Sequence, residues 1–172
     1  MISAISALAA AVALLLFVFA MLYAAVSDLT TYTIRNNLVM TLLLAYLALA
    51  PIVGIAGHEI GRNLVVASIV LLFTFVLFAA GWIGGGDAKL ASVTTLWLGA
   101  DNALTYFLFL TLLGGLFAML VYFCRMWPLP ERLASTAWIT RLHARGQGAK
   151  LPYGVAITLA ALCVLPSTPW MI

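Results

Sequence analysis

Residues 3–26 read SAISALAAAVALLLFVFAMLYAAV and contain no charged side chain. A helix of about 20 apolar residues is long enough to cross the roughly 30 Å of hydrocarbon in a bilayer, so this run predicts a membrane-spanning helix. No basic residue precedes the run, and its apolar core is longer than that of a secretory signal. We therefore expect this segment to stay in the membrane.

The rest of the chain has the same character. Of its 172 residues, 66% are hydrophobic and 8% are charged, and the mean hydropathy is +1.18. A soluble domain has about 25% charged residues, so a soluble globular fold is excluded. The sequence predicts an all-α integral membrane protein with about six transmembrane helices and a broken Gly-rich segment before the fourth. We expect one transmembrane domain over residues 1–172, with spans at about 3–26, 38–56, 64–83, 88–100, 103–123 and 152–170.

The basic residues orient these spans. Counted over alternate loops, seven of the eight lysines and arginines fall on one face and only Arg62 falls on the other. The seven are Arg35, Lys89, Arg125, Arg132, Arg141, Arg145 and Lys150. The positive-inside rule makes their face cytoplasmic. Asp28 follows the first span and Asp87 follows the third, so both are predicted on that face.

These two aspartates are the strongest candidates for chemistry, because each stands where an apolar run ends and the chain has only five acidic residues. Acids at the membrane are costly and usually functional. If the fold brings Asp28 and Asp87 together, one carboxylate can deprotonate water while the other, sharing the proton, hydrogen-bonds a scissile carbonyl. The same pair also suits a small ion- or proton-coupled transporter or channel subunit. The presence of both aspartates argues against a non-catalytic assembly protein.

The second aspartate closes the run Gly84-Gly85-Gly86-Asp87. Consecutive glycines can adopt positive φ and let an extended substrate approach the backbone. The alternative is that the glycines only let helices pack closely while Asp87 caps a helix beginning at Ala88.

Three short motifs together resemble the type IV prepilin peptidases, which are membrane aspartic proteases of the Gly-x-Gly-Asp kind. The matching residues are Gly84, Gly86 and Asp87, followed by Lys89-Leu90; Asp28 with Ile34-Arg35-Asn36, where the family has Ile-Pro-Asn; and Lys150-Leu151-Pro152-Tyr153-Gly154. The transporter alternative accounts for the aspartates but not for Lys89-Leu90 or Pro152-Tyr153-Gly154 at their positions.

The resemblance implies an aspartic endopeptidase that removes the leader peptide of prepilins and pseudopilins at the cytoplasmic face of the bacterial inner membrane. It implies Asp28 and Asp87 as the catalytic residues and no cofactor. Its partners are then prepilin leaders and the lipid bilayer, not nucleic acid. The active-site backbone and substrate-binding candidates are Gly84, Gly85, Gly86, Lys89, Asn36, Pro152, Tyr153 and Gly154.

The number of cysteines indicates which kind of prepilin peptidase this chain resembles. Larger members carry an extra domain with four cysteines, whereas this chain has only Cys124 and Cys163, which cannot form that zinc site. His58 and His143 are predicted on opposite faces and cannot share a metal ion. The chain is therefore most similar to the compact peptidases of tight-adherence (Flp-type) pilus systems. This similarity gives no support for the N-methylation that larger relatives perform.

A basic stretch at residues 131–145 mixes apolar and cationic side chains. This pattern is typical of an amphipathic helix at the surface of an anionic membrane. A solvated loop that only sets the topology explains the stretch nearly as well.

Overall fold

The computed structural model describes residues 4–128, 135–144 and 151–171, and these residues are helical with short connections and no strand. The α-helices are α1 (Ala4–Thr31), α2 (Asn36–Val53), α3 (Gly57–Ala79), α4 (Gly85–Leu98), α5 (Ala103–Met126), α6 (Ala137–His143) and α7 (Tyr153–Val164). Two 3-10 turns, Ala100–Asn102 and Leu165–Ser167, precede α5 and follow α7. The predicted all-α class is confirmed.

Among the residues that the structure describes, four segments are long and apolar enough to cross a membrane: α1, α2, α3 and the segment Ala100–Met126. Helix α4 has 14 residues, about 21 Å at 1.5 Å per residue, and the apolar segment Tyr153–Ser167 is also shorter than a full span. Six complete crossings are therefore not confirmed. Residues 90–98 of α4 are all buried, and α4 packs against α2, α3 and α7, so the surrounding helices, rather than lipid, cover it.

The bounds of the first three helices differ from those of the predicted spans. Residues 57–63, which the predicted spans leave as a connection between 38–56 and 64–83, are instead the first turns of α3, which ends at Ala79 rather than near residue 83. The acidic Glu59 in the first turn suits the positive end of the helix dipole. Helix α1 runs past residue 26 because its polar side chains find partners inside the helix: the Thr30 hydroxyl donates to the Val26 carbonyl at 2.7 Å.

Small side chains allow the helices to approach closely. Helix α1 packs against α2 and α7, and α7 packs against α5. The buried face of α1 includes Ala10, Ala13 and Ala24, and Phe17 and Met21 on the same face are fully buried. Because lipid chains are as apolar as these residues, close packing rather than a hydrophobic driving force holds such helices together.

The end of the bundle where α3 begins and α4 finishes, which we call the distal end, contains a cluster of buried aromatic side chains. Trp97 stacks on Phe17 with ring centroids 5.2 Å apart, and Trp170 lies 4.8 Å from Trp97. The Trp97 indole donates to the Leu42 carbonyl at 2.9 Å, and the Trp170 indole donates to the Trp97 carbonyl at 2.7 Å.

The distal end also contains a series of hydrogen bonds centred on Asn63. The Asn63 amide donates to the Tyr46 hydroxyl at 2.9 Å, and the Ala100 backbone N–H donates to the Asn63 side-chain oxygen at 2.8 Å. Arg62 and Asp101 form an ion pair on the surface beside these hydrogen bonds.

Candidate active site

The opposite end of the bundle, which we call the aspartate end, is where α1 finishes and α2, α4 and α7 begin. Asp28 lies in the last turn of α1 and Asp87 in the first turn of α4. The two carboxyl groups are close enough for the charge of Asp28 to act on Asp87. The fold thus brings together two residues that are 59 positions apart in the sequence (87 − 28).

Asp28 is 5% exposed and is held by the start of α7. The Gly154 backbone N–H donates to Oδ2 of Asp28 at 2.7 Å. This amide is available because the first N–H groups of a helix have no partner within the helix. A Cβ atom at Gly154 would lie 2.8 Å from the Cβ of Asp28, so only glycine fits here without displacing the aspartate.

Asp87 is the third residue of α4, and Gly84 is its N-cap residue. The Asp87 carboxyl group accepts a hydrogen bond from the Gly84 backbone, as the acidic residue of a capping box does. Its other oxygen, Oδ1, is buried and has no hydrogen-bond partner among the described residues. A buried polar atom without a partner costs about 1–3 kcal/mol, so this oxygen is a ready acceptor or donor for an incoming group.

Asp87 lies outside the four candidate spans, and its surroundings favour the protonated acid. Burial and then the neighbouring charge of Asp28 raise the pKa of Asp87 to about 7, against the hydrogen bond from Gly84. Because like charges this close oppose joint ionisation, Asp87 holds a proton over part of the neutral range.

The glycine run matters because its residues lack Cβ atoms and so leave room for neighbouring side chains; its backbone angles are ordinary. The expected positive φ is not found at Gly84, Gly85 or Gly86, because the last two belong to α4. A Cβ atom at Gly84 would lie 2.8 Å from Oδ2 of Asp87, and one at Gly86 would lie 3.0 Å from the Cβ of Ile34. The helix also begins at Gly85 rather than at Ala88, so Asp87 caps it from within its first turn.

Lys89 connects α4 to the start of α2. Its ammonium group donates to the Asn36 side-chain oxygen at 2.9 Å. Between Ile34 and Asn36, Arg35 occupies the position at which the prepilin peptidases carry proline, and its φ of −71° lies within the range that a proline ring imposes. The backbone at Arg35 therefore has a φ that proline could also adopt.

Residues 4–122 match the model of the type IV leader peptidase family. The chain belongs to this family. Comparison with curated proteins and with solved structures gives no match. The matched region contains the aspartates, the glycine run, Asn36 and Lys89, whereas Pro152, Tyr153 and Gly154 lie beyond it. The predicted resemblance is confirmed, and prepilin-type precursors are the substrates that membership implies.

In this leader peptidase, the three residues beyond the matched region also reach the aspartate end. Pro152 is the N-cap residue of α7, and Gly154 binds Asp28 as described above. Tyr153 lines a cavity of about 380 Å³ together with Asp87. All ten predicted site residues therefore lie at or beside this one end of the bundle.

Tyr32 is a residue at the site that the sequence reasoning missed. It is the one non-glycine residue with positive φ among those described, at 55°, and its N–H donates to the Asp28 carbonyl at 2.8 Å. Its hydroxyl is buried without a hydrogen-bond partner in the described part of the chain. Burial and the charge of Asp28 raise its pKa, against the opposing effects of Arg125 and Arg141. Its only sequence signal is the spacing of four residues from Asp28, which is one helical turn.

Helix α6 covers part of the predicted amphipathic stretch and packs against α1 and α5. The Arg125 side chain donates to the Leu142 carbonyl at 2.7 Å, and the His143 ring bonds the Trp127 carbonyl at 2.8 Å. These contacts attach α6 to the bundle. Arg132, Arg145 and Lys150 lie outside the described residues.

Proposed function

We propose that this protein is an aspartic endopeptidase that removes the leader of type IV prepilins and pseudopilins, with Asp28 and Asp87 as its catalytic residues. The main support is the different setting of the two carboxyl groups at one end of the bundle. Asp28 accepts a hydrogen bond from a backbone N–H, whereas Asp87 has a buried, unpartnered oxygen and a pKa raised to about 7. Two neighbouring carboxyl groups with separated tendencies to ionise are suited to base and acid roles.

In this proposal Asp28 is the general base and Asp87 the general acid. Asp28 takes a proton from water as the water oxygen attacks the scissile carbonyl carbon, and protonated Asp87 donates its proton to the carbonyl oxygen. The tetrahedral intermediate then collapses: its C–N bond breaks, Asp28 returns its proton to the leaving nitrogen, and Asp87 recovers its own. Each aspartate finishes in its starting state.

The other predicted residues position this pair. Gly154 holds Asp28, and Gly84 both bonds Asp87 and leaves space for it. The contact between Lys89 and Asn36 fixes α4 relative to α2. We assign these roles within one transmembrane peptidase domain over residues 1–172.

The proposed location is the bacterial inner membrane with the aspartate end towards the cytoplasm, on the strength of the positive-inside rule. Single cysteines at the exposed positions Thr31, Trp82 and His58, in a background lacking Cys124 and Cys163, test it. In intact cells a membrane-impermeant thiol reagent should label the cysteine at 58 and leave those at 31 and 82 unlabelled. Labelling at 31 and 82 from opposite sides would contradict a single site containing both aspartates.

The function itself is tested by co-expressing the protein with candidate prepilins and measuring leader removal by mass. Wild-type protein should shorten a prepilin by its leader, and Asp28→Asn or Asp87→Asn should not. If wild type leaves every prepilin intact while the same substitutions change ion flux in vesicles, the protein is a transporter and the proposal is wrong.

A further inference from the structure

A cavity of about 770 Å³ lies between α2 and α3, and neither aspartate lines it. We call it the α2–α3 cavity. Helices α2 and α3 each pack against α4, so α4 forms the floor and two candidate membrane spans form the walls. Met40 of α2 and Leu72 of α3 line the cavity and are exposed. The cavity therefore opens sideways between the two spans, towards the hydrocarbon of the membrane.

The α2–α3 cavity is about as long as one leaflet of a bilayer. Along α3 its lining extends from Leu64 to Phe75, a rise of about 16 Å at 1.5 Å per residue. Half of the hydrocarbon thickness is about 15 Å. Phe75 lies towards the aspartate end, where α3 finishes. An acyl chain from the leaflet at that end would match the length of the cavity.

The lining suits an acyl chain better than a peptide. Its polar side chains are Lys89, Ser68 and Ser92. The Ser92 hydroxyl donates to the Ala67 carbonyl at 2.7 Å, and that of Ser68 donates to the Leu64 carbonyl at 2.8 Å. A peptide would bury many of its N–H and C=O groups here without partners, which costs free energy. An acyl chain has no such groups to satisfy.

Lys89 supplies the one charged side chain in the lining. Its ammonium group has three N–H donors, and its one hydrogen bond within the described part of the chain goes to the Asn36 side-chain oxygen at 2.9 Å. Asp87, two residues earlier, lines the separate cavity between α3 and α5, because residues two apart on a helix do not face each other. Donors on Lys89 therefore remain for an anionic group.

We propose that the α2–α3 cavity binds an anionic phospholipid, with an acyl chain between α2 and α3 and the phosphate group on Lys89. Basic pockets between transmembrane helices bind anionic lipid headgroups. Arg35, at the start of α2 and exposed, adds a second positive charge at the same end of that helix. The lining contains no carboxylate to pair with a cationic headgroup such as choline, so a lipid with net negative charge is the better fit.

Matched variants separate the acyl-chain site from the headgroup site. Ser68 lines the cavity, whereas its neighbour Ile69 is exposed and lies outside the lining. Ser68→Trp therefore fills the cavity, and Ile69→Trp places the same ring on the outer surface of α3. Lys89→Met and Arg62→Met each remove one positive charge, at opposite ends of the bundle, while Lys89→Arg keeps the charge. Thermal unfolding of each variant in detergent checks that it folds.

The experiment measures binding of the first lipid by native mass spectrometry of the full chain in detergent. Phosphatidylglycerol and phosphatidylcholine with identical acyl chains are the anionic and zwitterionic probes. Wild type should bind phosphatidylglycerol about 5-fold more tightly, the effect of one cation near an anionic group. Lys89→Met should abolish this preference by weakening phosphatidylglycerol alone, whereas Lys89→Arg and Arg62→Met should keep it. Ser68→Trp should weaken both lipids about 10-fold or more, since it fills the space of the acyl chain, and Ile69→Trp should bind both as wild type does.

Equal affinities of wild type for the two lipids would overturn the proposal. So would a preference that survives Lys89→Met, because the headgroup would then lie elsewhere, or unchanged lipid binding by folded Ser68→Trp protein. Binding of a fluorescent apolar peptide is measured with the same variants. If Ser68→Trp weakens binding of the peptide but not of the lipids, the occupant is a peptide and the proposal is wrong. None of these measurements needs cleavage, so their outcome is independent of the proposed peptidase function.

Discussion

The two ends of the helix bundle are built in opposite ways. At the distal end, Tyr46, Asn63 and Trp97 all have hydrogen-bond partners, and three aromatic rings pack around Trp97. At the aspartate end, an oxygen of Asp87 and the hydroxyl of Tyr32 are buried without partners in the described residues, and Tyr32 has a strained backbone. The Tyr106 hydroxyl near the start of α5 is also buried without a partner among the described residues. The comparison teaches that contacts at the distal end hold the helices together, whereas the unpartnered oxygen of Asp87 at the aspartate end remains available to an incoming group.

The largest expected effect is a loss of leader cleavage when an aspartate at the aspartate end, but not one at the distal end, is replaced. Asp28→Asn and Asp87→Asn should each lower leader cleavage by at least about 100-fold, because an amide cannot exchange the proton that general acid–base catalysis requires. Asp101→Asn, at the distal end and 75% exposed, is the matched control and should cleave normally. Cleavage is read by mass at equal amounts of inserted protein. A well-inserted Asp28 or Asp87 variant that cleaves like wild type would remove that residue from the proposed pair.

The second prediction is that a substitution at the distal end lowers stability but leaves catalysis intact. Trp97→Ala removes a fully buried ring and the indole that bonds the Leu42 carbonyl. We expect a loss of about 3–5 kcal/mol in the free energy of unfolding, measured by denaturant titration in detergent. The kcat of the fraction that remains folded should stay close to that of wild type. A stable Trp97→Ala protein that has lost cleavage would show that the two ends are not separate in function.

Two glycine substitutions test whether close packing against Asp28 matters for catalysis. Gly154→Ala places a Cβ atom 2.8 Å from the Cβ of Asp28 and should lower kcat at least 10-fold, since a shift of about 1 Å in a reacting group can cost 100-fold. Gly61→Ala, where a Cβ atom meets nothing within 4 Å, should leave kcat unchanged. Equal kcat values for the two variants would mean that Gly154 does not position Asp28.

The pH dependence should come from the aspartate end. With the pKa of Asp87 raised from 3.8 to about 7, the folded protein binds more protons than the unfolded chain between about pH 4 and 7. The stability of the fold therefore decreases as pH rises through this window, and Asp87→Asn should remove that part of the decrease.

The pH dependence of cleavage should also come from the protonation of Asp87. As pH rises through about 7, Asp87 loses the proton that it donates, so kcat/KM should decrease. At more acidic pH, protonation of Asp28 removes the general base, and activity should fall again. Thermal unfolding and kcat/KM are measured over the same pH series. A rate independent of pH while the protein stays folded would contradict a pair that shares one proton.

The smallest expected effect concerns the exposed contact between Lys89 and Asn36. Lys89→Met removes the 2.9 Å hydrogen bond, but exposed charged contacts contribute only about 0.2–1 kcal/mol. We expect a few-fold decrease in kcat/KM and a small change in unfolding temperature. Asn36→Ala should have an effect of the same size, and the double variant should be no worse than either single one. Additive losses would mean that the two residues act separately.

The sequence predicted the membrane class and the aspartates because each depends on local composition or on a short motif, and it predicted one face for both aspartates because the spans alternate in direction. The apolar run at residues 3–26 and the spacing of Gly84, Gly86 and Asp87 needed no knowledge of packing. Helix α4 was harder to interpret: its apolar residues suggest a span, but burial on several sides makes a helix of 14 residues sufficient.

The features that the sequence left open depend on contacts between distant segments. The start of α3 at Gly57 was hidden by a polar stretch that resembles a turn, and the role of Gly154 depends on a bond to Asp28, 126 residues away. The strained backbone of Tyr32 and the orphaned oxygen of Asp87 are likewise products of packing. No pattern in the neighbouring residues indicates either of them.

The central claim, that Asp28 and Asp87 work as one catalytic unit, is tested most directly by a double-mutant cycle on leader cleavage. Purified wild type, Asp28→Asn, Asp87→Asn and the double variant are incubated in excess over a prepilin, and single-turnover rates are measured by mass. Residues that act as a unit have strongly non-additive effects, so all three variants should fall to the same residual rate. A double variant slower than either single one by the product of their separate effects would contradict the claim.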